Sequence, residues 1–205
     1  LYYVGWMQGK RIPYYASVGL AMSDDGGNTY HKVSRGPLLE RNDIDPYFTA
    51  SLDILIEDGL WRMWYLTNTQ WRIVEGEPSP RYHIKYAESD DGNNWRRQGI
   101  VAIDFRSPDE YAIARPRVIK ENGIYRMWYS YRGDSYRIGY AESKDGIRWE
   151  RKDSEVGIDV SDNGWDSEMI EYAFVFNHGG KKHMFYNGNE YGKVGIGYAV
   201  LEEDF

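Results

Sequence analysis

Apolar and polar residues alternate along several short segments of the chain, which is the pattern of strands that bury one face. The alternation is clearest in YRMWYSY (residues 125–131) and RIGYAES (residues 137–143), and it recurs at residues 60–68 and 82–89. Turns such as Asn122-Gly123 separate these segments and supply the positive φ that tight hairpins require. No segment of helical length carries apolar residues at spacings of three and four. The sequence therefore predicts an all-β protein.

The same pair of strands, closed by a turn and an aromatic residue, occurs four times. The copies lie at residues 119–150 and 57–95, in a more divergent form at 179–204, and at the start of the chain through Tyr30. Their closing turns read SDDGGNTY, SDDGNNW and SKDGIRW, in which Ser and Asp side chains are expected to bind backbone amides as structural staples. Repeats of roughly 40 to 50 residues with four strands each are typical of a β-propeller.

Each repeat is interpreted as one four-stranded antiparallel blade of a single domain, residues 1–205. Strands are predicted in the second blade at 51–57, 60–68, 82–89 and about 95–101, and in the third at 115–120, 124–132, 137–143 and about 149–152. The chain opens on the second strand of a blade and stops after the third strand of the last. We therefore expect three to four blades of a five-bladed propeller, present as an incomplete portion that lacks an N-terminal blade.

Composition and charge narrow the class of protein. Aromatic residues make up 16% of the chain, with 19 Tyr and 8 Trp, and these residues favour strands. A net charge of −7 argues against a nucleic-acid partner, which needs a basic face. No apolar run approaches membrane-spanning length and no cationic amphipathic segment indicates a membrane surface, so a soluble domain without a membrane partner is predicted. The absence of cysteine excludes disulfides and thiolate metal sites.

Charged and aromatic residues cluster where the first strand of each blade begins, which in a propeller is next to the central channel. The candidates are Asp43, Asp45 and Asp53 in the second blade, Glu110, Arg115 and Arg117 in the third, and Trp165, Asp166, Glu168 and Glu171 in the last. Asp45, Asp53 and Glu171 are the catalytic candidates, and the other seven are expected to bind substrate. Paired carboxylates are what cleavage of a glycosidic bond requires, one of them to protonate the leaving oxygen. Arginines grip carboxylates or phosphates, and an indole stacks on a sugar ring. The four histidines have no metal-binding spacing.

Three phrases resemble the five-bladed propeller glycosidases of glycoside hydrolase families 43, 32 and 68, and their relatives in family 130. They are YRIGYAESKDGIRWER, SLDILIEDGLWRMWY and IEYAFVFNHGGKKHMFYNG. The resemblance implies that Asp53 tunes the pKa of the catalytic acid and that Glu171 is this acid. Alanine stands at Ala114, where family 43 has its acid, and the remaining carboxylate of these families lies on a strand outside this chain. Some relatives hold a structural calcium at the axis, but no residue pattern here specifies one, so no cofactor is predicted.

Three functions remain open from the sequence. The first is a glycoside hydrolase acting on an oligosaccharide or polysaccharide, with Glu171 as the general acid and Asp53 or Asp45 orienting the substrate or tuning the acid. The second is a glycoside phosphorylase or glycosyltransferase, in which Arg115 and Arg117 bind phosphate or an activated sugar. The third is a sugar-binding propeller without catalysis, which the alanine at Ala114 favours.

Overall fold

The computed structural model describes residues 1–202, and strands dominate this part of the chain. Within it, helix is limited to two single 3₁₀ turns, Asp153–Glu155 and Glu190–Gly192. None of the helical segments in residues 1–202 is long and apolar enough to cross a bilayer. The strands are β1 (Tyr2–Gln8), β2 (Tyr14–Met22), β3 (His31–Lys32), β4 (Thr49–Glu57), β5 (Leu60–Val74), β6 (Glu77–Ser89), β7 (Arg96–Ile103), β8 (Ala112–Glu121), β9 (Ile124–Arg132), β10 (Tyr136–Ser143), β11 (Glu150–Arg151), β12 (Glu171–His178), β13 (Lys181–Asn187) and β14 (Ile196–Val200).

The chain divides into two compact units, of which the first is Leu1–Val101. In this unit β1, β2 and β3 form one antiparallel sheet, and β4, β5 and β6 pair in sequence order. Strand β7, of which all but the last two residues lie in this unit, pairs with β6. The second unit begins at Ala102. It contains the ladder β8–β9–β10–β11 and the three-stranded sheet β12–β13–β14. The all-β prediction is therefore confirmed.

The segment between the predicted strands 60–68 and 82–89 proves to be regular structure. Strand β5 continues to Val74 and β6 begins at Glu77, so residues 71–80 extend the hairpin beyond the blade, with Trp71 paired to Pro80 and Val74 to Glu77. The tip is formed by Glu75 and Gly76, which both have positive φ. The predicted strand ends at residues 68 and 82 were wrong. Pro78 and Pro80 interrupt the alternation of apolar and polar residues, but proline is tolerated where a strand lies at the edge of a sheet.

The middle segments of β5 and β9 are buried on both faces, and their residues there are apolar or aromatic. Met63, Trp64 and Tyr65 are all fully buried in β5, although their side chains alternate between faces. A buried tyrosine hydroxyl needs a hydrogen-bond partner, and three blades supply an aspartate. The tyrosine donors are Tyr65 to Asp45, Tyr129 to Asp153 and Tyr186 to Asp166.

The closing turns make the staple bonds expected from their sequence. In the third blade Ser143 Oγ accepts the Gly146 N–H at 2.9 Å, and Asp145 accepts the Arg148 N–H at 2.8 Å. The Trp149 indole then donates to the Gly146 carbonyl at 3.0 Å. The backbone amides that bind Asp145 hold the pKa of its carboxyl below its usual range. These aspartates therefore serve the turns.

Candidate active site

Glu171 is the first residue of β12 and lies opposite Asn187 of β13. It is fully buried, and neither carboxyl oxygen has a hydrogen-bond partner among residues 1–202. Burial away from water disfavours the charged form and raises the pKa of Glu171 to about 7, against the opposing positive charges of Arg132 and Arg115. Among the carboxylates of residues 1–202, Glu171 is set apart by two buried oxygens that have no hydrogen-bond partner.

The repeats place Glu171 at a defined point of the first strand in its blade. Each first strand has one residue opposite the central aromatic residue of the second strand: Asp53 opposite Trp64, Arg117 opposite Trp128, and Phe174 opposite Phe185. Three residues earlier stand the matching positions Ala50, Ala114 and Glu171. All three are buried, so a carboxylate occupies a site that the other two blades fill with a methyl group.

A β-bulge follows this position in β8 and in β12, and in β4 the bulge between Thr49 and Leu52 contains Ala50 itself. In β8 the bulge includes Arg115 at φ 53°, and in β12 it includes Tyr172 at φ 55°. The Tyr172 N–H donates to Ser130 Oγ at 2.7 Å, which fixes the bulge in β12. The guanidinium of Arg115 lies 5.1 Å from the centre of the Tyr172 ring. Bulges change the direction of side chains next to functional sites. Here they place the guanidinium of Arg115 against the ring of Tyr172, which is the residue after the acid.

A second arginine, Arg132 at the end of β9, completes the surroundings of Glu171. Its guanidinium lies 5.5 Å from the ring centre of Tyr111 and 5.4 Å from that of Tyr136, and its Nη1 donates to the Tyr191 hydroxyl at 2.9 Å. The sequence did not single out Arg132 or Tyr191, because neither lies at the start of a first strand. The one signal in the sequence is their position, since Arg132 is the last residue of β9 and Tyr191 follows β13.

The predicted residues of the second blade have different surroundings. Asp45 is fully buried and accepts hydrogen bonds from Tyr65 at 3.0 Å, Arg97 at 2.9 Å and Lys85 at 3.1 Å. These contacts favour a structural role over the predicted catalytic one. Asp53 is partly exposed on β4 and occupies the strand position that Arg117 and Phe174 occupy in β8 and β12. Its effect on the pKa of the acid remains a prediction. Asp43 is exposed in the turn before β4.

The predicted residues of the third blade divide into two groups. Glu110 is buried and binds Arg151 through both oxygens, at 2.8 Å and 3.1 Å, so its carboxylate serves an ion pair. Arg117 donates from Nε to the Val175 carbonyl at 2.7 Å and lies over Phe174. Arg115 is exposed and acts on the charge of Glu171. Of these three residues, Arg115 is the one that the structure brings to the candidate acid.

The residues predicted just before β12 mainly pack. Trp165 stacks on Tyr186 at 5.7 Å, and its ring lies so close to Gly188 that a side chain at Gly188 would collide with it. Asp166 is buried and accepts the Tyr186 hydroxyl at 3.1 Å. Glu168 is exposed, and its N–H donates to Asn189 Oδ1 at 2.9 Å. These contacts favour packing over sugar stacking for Trp165. Among residues 1–202 no three His, Asp or Glu side chains are grouped to hold a metal ion.

Glu171 is expected to make the stability of the protein depend on pH. Its folded pKa of about 7 lies above the ordinary value of 4.5, so its contribution is fully present below about pH 4.5 and is lost as the pH rises through 7. Glu171→Gln is neutral at every pH and should therefore be more stable than the parent at pH 8, by about 3 kcal/mol. Urea unfolding of both proteins between pH 5 and 8 measures the difference. A constant difference across this range would contradict the raised pKa.

Comparison with solved structures identifies the fold. A thermostable family-43 glycoside hydrolase matches 93% of this chain with a TM-score of 0.72 at 18% identity, and a Bombyx mori GH32 beta-fructofuranosidase matches 98% with a TM-score of 0.64 at 16% identity. The matches cover 64% and 44% of those two chains. The chain therefore shares its fold with these glycoside hydrolases, in agreement with the resemblance of its sequence to families 43 and 32.

Sequence comparison then places the chain more closely. It is 40% identical over 202 residues to "Uncharacterized protein Rv1502" of Mycobacterium tuberculosis (strain ATCC 25618 / H37Rv), covering 98% of this chain and 67% of that protein, and it belongs to the same family. It is also 30% identical over 134 residues to the 1,2-beta-oligomannan phosphorylase of Thermoanaerobacter sp. (strain X514), covering 60% of this chain and 43% of that enzyme. No protein-family model matches the chain.

Proposed function

We propose that this protein is a carbohydrate-active enzyme that cleaves a glycosidic bond, with Glu171 as the general acid. The observation that carries the proposal is a fully buried carboxyl group whose two oxygens have no partner within residues 1–202 and whose pKa is raised to about 7. Burying such a group costs stability, and a carboxylic acid kept protonated near pH 7 is suited to proton donation. The same position holds alanine in the two other blades, so packing of the repeat does not require it.

The surroundings of Glu171 are suited to a carboxyl group that releases a proton and takes one up again in each catalytic cycle. Leaving-group protonation produces a carboxylate, and the positive charges of Arg132 and Arg115 stabilise this ionised form. Without them, burial alone would hold the proton more tightly. Because Glu171 is fully buried, the side chains around it must move before a glycosidic oxygen can reach the carboxyl. The second carboxylate that the reaction requires is not assigned to a described residue.

We further propose that the four-stranded blades belong to a five-bladed ring whose first strands line a central channel. The support is the family resemblance together with the β-bulge near the start of each of the first strands β4, β8 and β12. Asp53 remains the candidate for tuning the acid. Arg117 is not part of the proposed site, because its Nε is bonded to the Val175 carbonyl.

Phosphorolysis is the second candidate reaction. Two arginines act on the proposed acid, and guanidinium groups bind phosphate through paired hydrogen bonds. One relative of the chain is named a 1,2-beta-oligomannan phosphorylase, which supports the same reaction. In this version Arg115 and Arg132 replace the pair Arg115 and Arg117 that the sequence indicated.

Cleavage with and without inorganic phosphate separates these reactions. We expect the protein to act on a β-1,2-linked oligomannan or on one member of a panel of disaccharides. Hydrolysis releases reducing sugar at a rate that phosphate does not change, whereas phosphorolysis releases a sugar 1-phosphate and stops when phosphate is removed. Binding of these saccharides without either product would instead identify a non-catalytic propeller and end the enzymatic proposal.

A further inference from the structure

The loop between β13 and β14 ties Tyr191 to the surroundings of Glu171. The Tyr191 hydroxyl accepts a hydrogen bond from Arg132 Nη1 at 2.9 Å, and its backbone carbonyl accepts one from Asn187 Nδ2 at 3.0 Å. Asn187 is the residue directly opposite Glu171 in the sheet. The Tyr191 ring also lies edge-on to Tyr136, with 6.1 Å between ring centres. Tyr191 therefore links the guanidinium of Arg132 to the strand position that faces the acid.

The backbone of this loop is strained where it presents Tyr191. Glu190 and Tyr191 have φ values of 54° and 60°, a conformation that costs non-glycine residues about 1 kcal/mol or more each. The loop is held by the Gly188 N–H to the Gly195 carbonyl at 3.0 Å, and by buried Asn189, whose Oδ1 accepts two backbone N–H groups ahead of β12. Strain of this kind concentrates at functional sites, so its presence beside a candidate acid points to a use for Tyr191.

Arg132 is placed by three aromatic residues and by no carboxylate. Two tyrosine rings lie against its guanidinium, the Tyr191 hydroxyl accepts from Nη1, and within residues 1–202 it forms no ion pair. Its positive charge is therefore not cancelled by a neighbouring acid and acts on Glu171. The other charged or titratable groups near Glu171 are Arg115 of β8 and Tyr172 of β12, and those near Arg132 are Tyr136 of β10 and Tyr111 ahead of β8.

We infer that Tyr191 is a positioning residue, which holds the guanidinium of Arg132 beside the carboxyl of Glu171. Of the two arginines that lower the pKa of this carboxyl, Arg132 has the larger effect. Arg115 is exposed, so the solvent screens its charge. The loop that carries Tyr191 thus controls how readily the acid releases its proton. This inference rests on the proposed function of Glu171 and adds two residues to the machinery that serves it.

The pKa of Glu171 tests the inference without any substrate. It is obtained from the pH dependence of the difference in unfolding free energy between each protein and its Glu171→Gln derivative. Arg132→Ala should raise this pKa by about one unit or more, because a nearby positive charge is lost, and Arg132→Lys should raise it less. Tyr191→Phe should also raise it, because the guanidinium loses its 2.9 Å hydrogen bond and keeps the longer one, 3.5 Å, from Nε to the Asp134 carbonyl. Tyr30→Phe, an exposed tyrosine of the other unit, should leave it unchanged.

Activity provides a second readout with distinguishable outcomes. The alkaline limb of the kcat/KM profile should move to higher pH in the order found for the pKa, whereas a merely structural role would lower activity at every pH. An unchanged pKa in Tyr191→Phe would overturn the role of Tyr191, and an unchanged pKa in Arg132→Ala would overturn that of Arg132. Full activity of Glu171→Gln would instead overturn the proposed function, whatever the tyrosine variant shows.

Discussion

Glu171→Gln is expected to lower kcat by at least about a hundredfold on a glycoside with a poor leaving group. Glutamine has nearly the same shape as glutamic acid, so it fits the buried position at the start of β12 without a cavity. It cannot transfer a proton to the departing oxygen, and this step is the contribution that general acid catalysis makes. The measurement is kcat near pH 6, where the carboxyl of the parent protein is mainly protonated.

The leaving group separates an acid from a residue that only shapes the site. An aryl glycoside whose phenol departs without protonation should be cleaved by Glu171→Gln at a rate close to that of the parent. Glu150→Gln, which changes an exposed glutamate of the same unit, should leave both substrates unaffected. A folded Glu171→Gln protein with near-parent kcat on the poor leaving group would remove Glu171 from catalysis.

The fold could be predicted from sequence because the blade motif determines burial directly. In Met63-Trp64-Tyr65 and Met127-Trp128-Tyr129 every side chain is apolar or aromatic, and both faces of these strands are covered. The turns after each third strand carry their own hydrogen-bond partners, so they were recognisable as staples. The long hairpin at residues 71–80 was not recognised, since proline and glutamate obscure the alternation while the backbone pairing continues to Val74 and Glu77.

The candidate site could be predicted only in part, because a charged residue at the start of a strand can either face a ligand or form an ion pair within the fold. Glu171 was found through a family resemblance, but its burial and raised pKa depend on packing that the sequence does not display. Glu110 was expected to bind substrate, yet it pairs with Arg151, which lies 41 residues further along the chain. Arg132 and Tyr191 meet across 59 residues. Contacts between residues this far apart in the chain are determined by the fold, and the local sequence does not reveal them.

Arg151→Ala is expected to destabilise the protein by about 3 to 5 kcal/mol, the largest stability effect that we predict. The Arg151 side chain is 8% exposed; it binds Glu110 through both oxygens and Asp153 at 2.8 Å, and lies against the rings of Tyr129 and Tyr131. Its removal takes from the buried Glu110 a cation that binds both of its oxygens, and it takes from Asp153 the more buried of the two arginines that pair with it within residues 1–202. Urea unfolding at pH 7 measures the loss.

Arg148→Ala is the matched control, since it removes the same kind of side chain three residues earlier. Arg148 is 92% exposed and lies 3.8 Å from Asp145, so its loss should change the unfolding free energy by no more than about 0.5 kcal/mol. If Arg151→Ala has an equally small effect, Glu110 does not depend on the ion pair for its place in the fold. Its carboxylate would then be available to a ligand, and the substrate-binding role that the sequence indicated for Glu110 would become the better explanation.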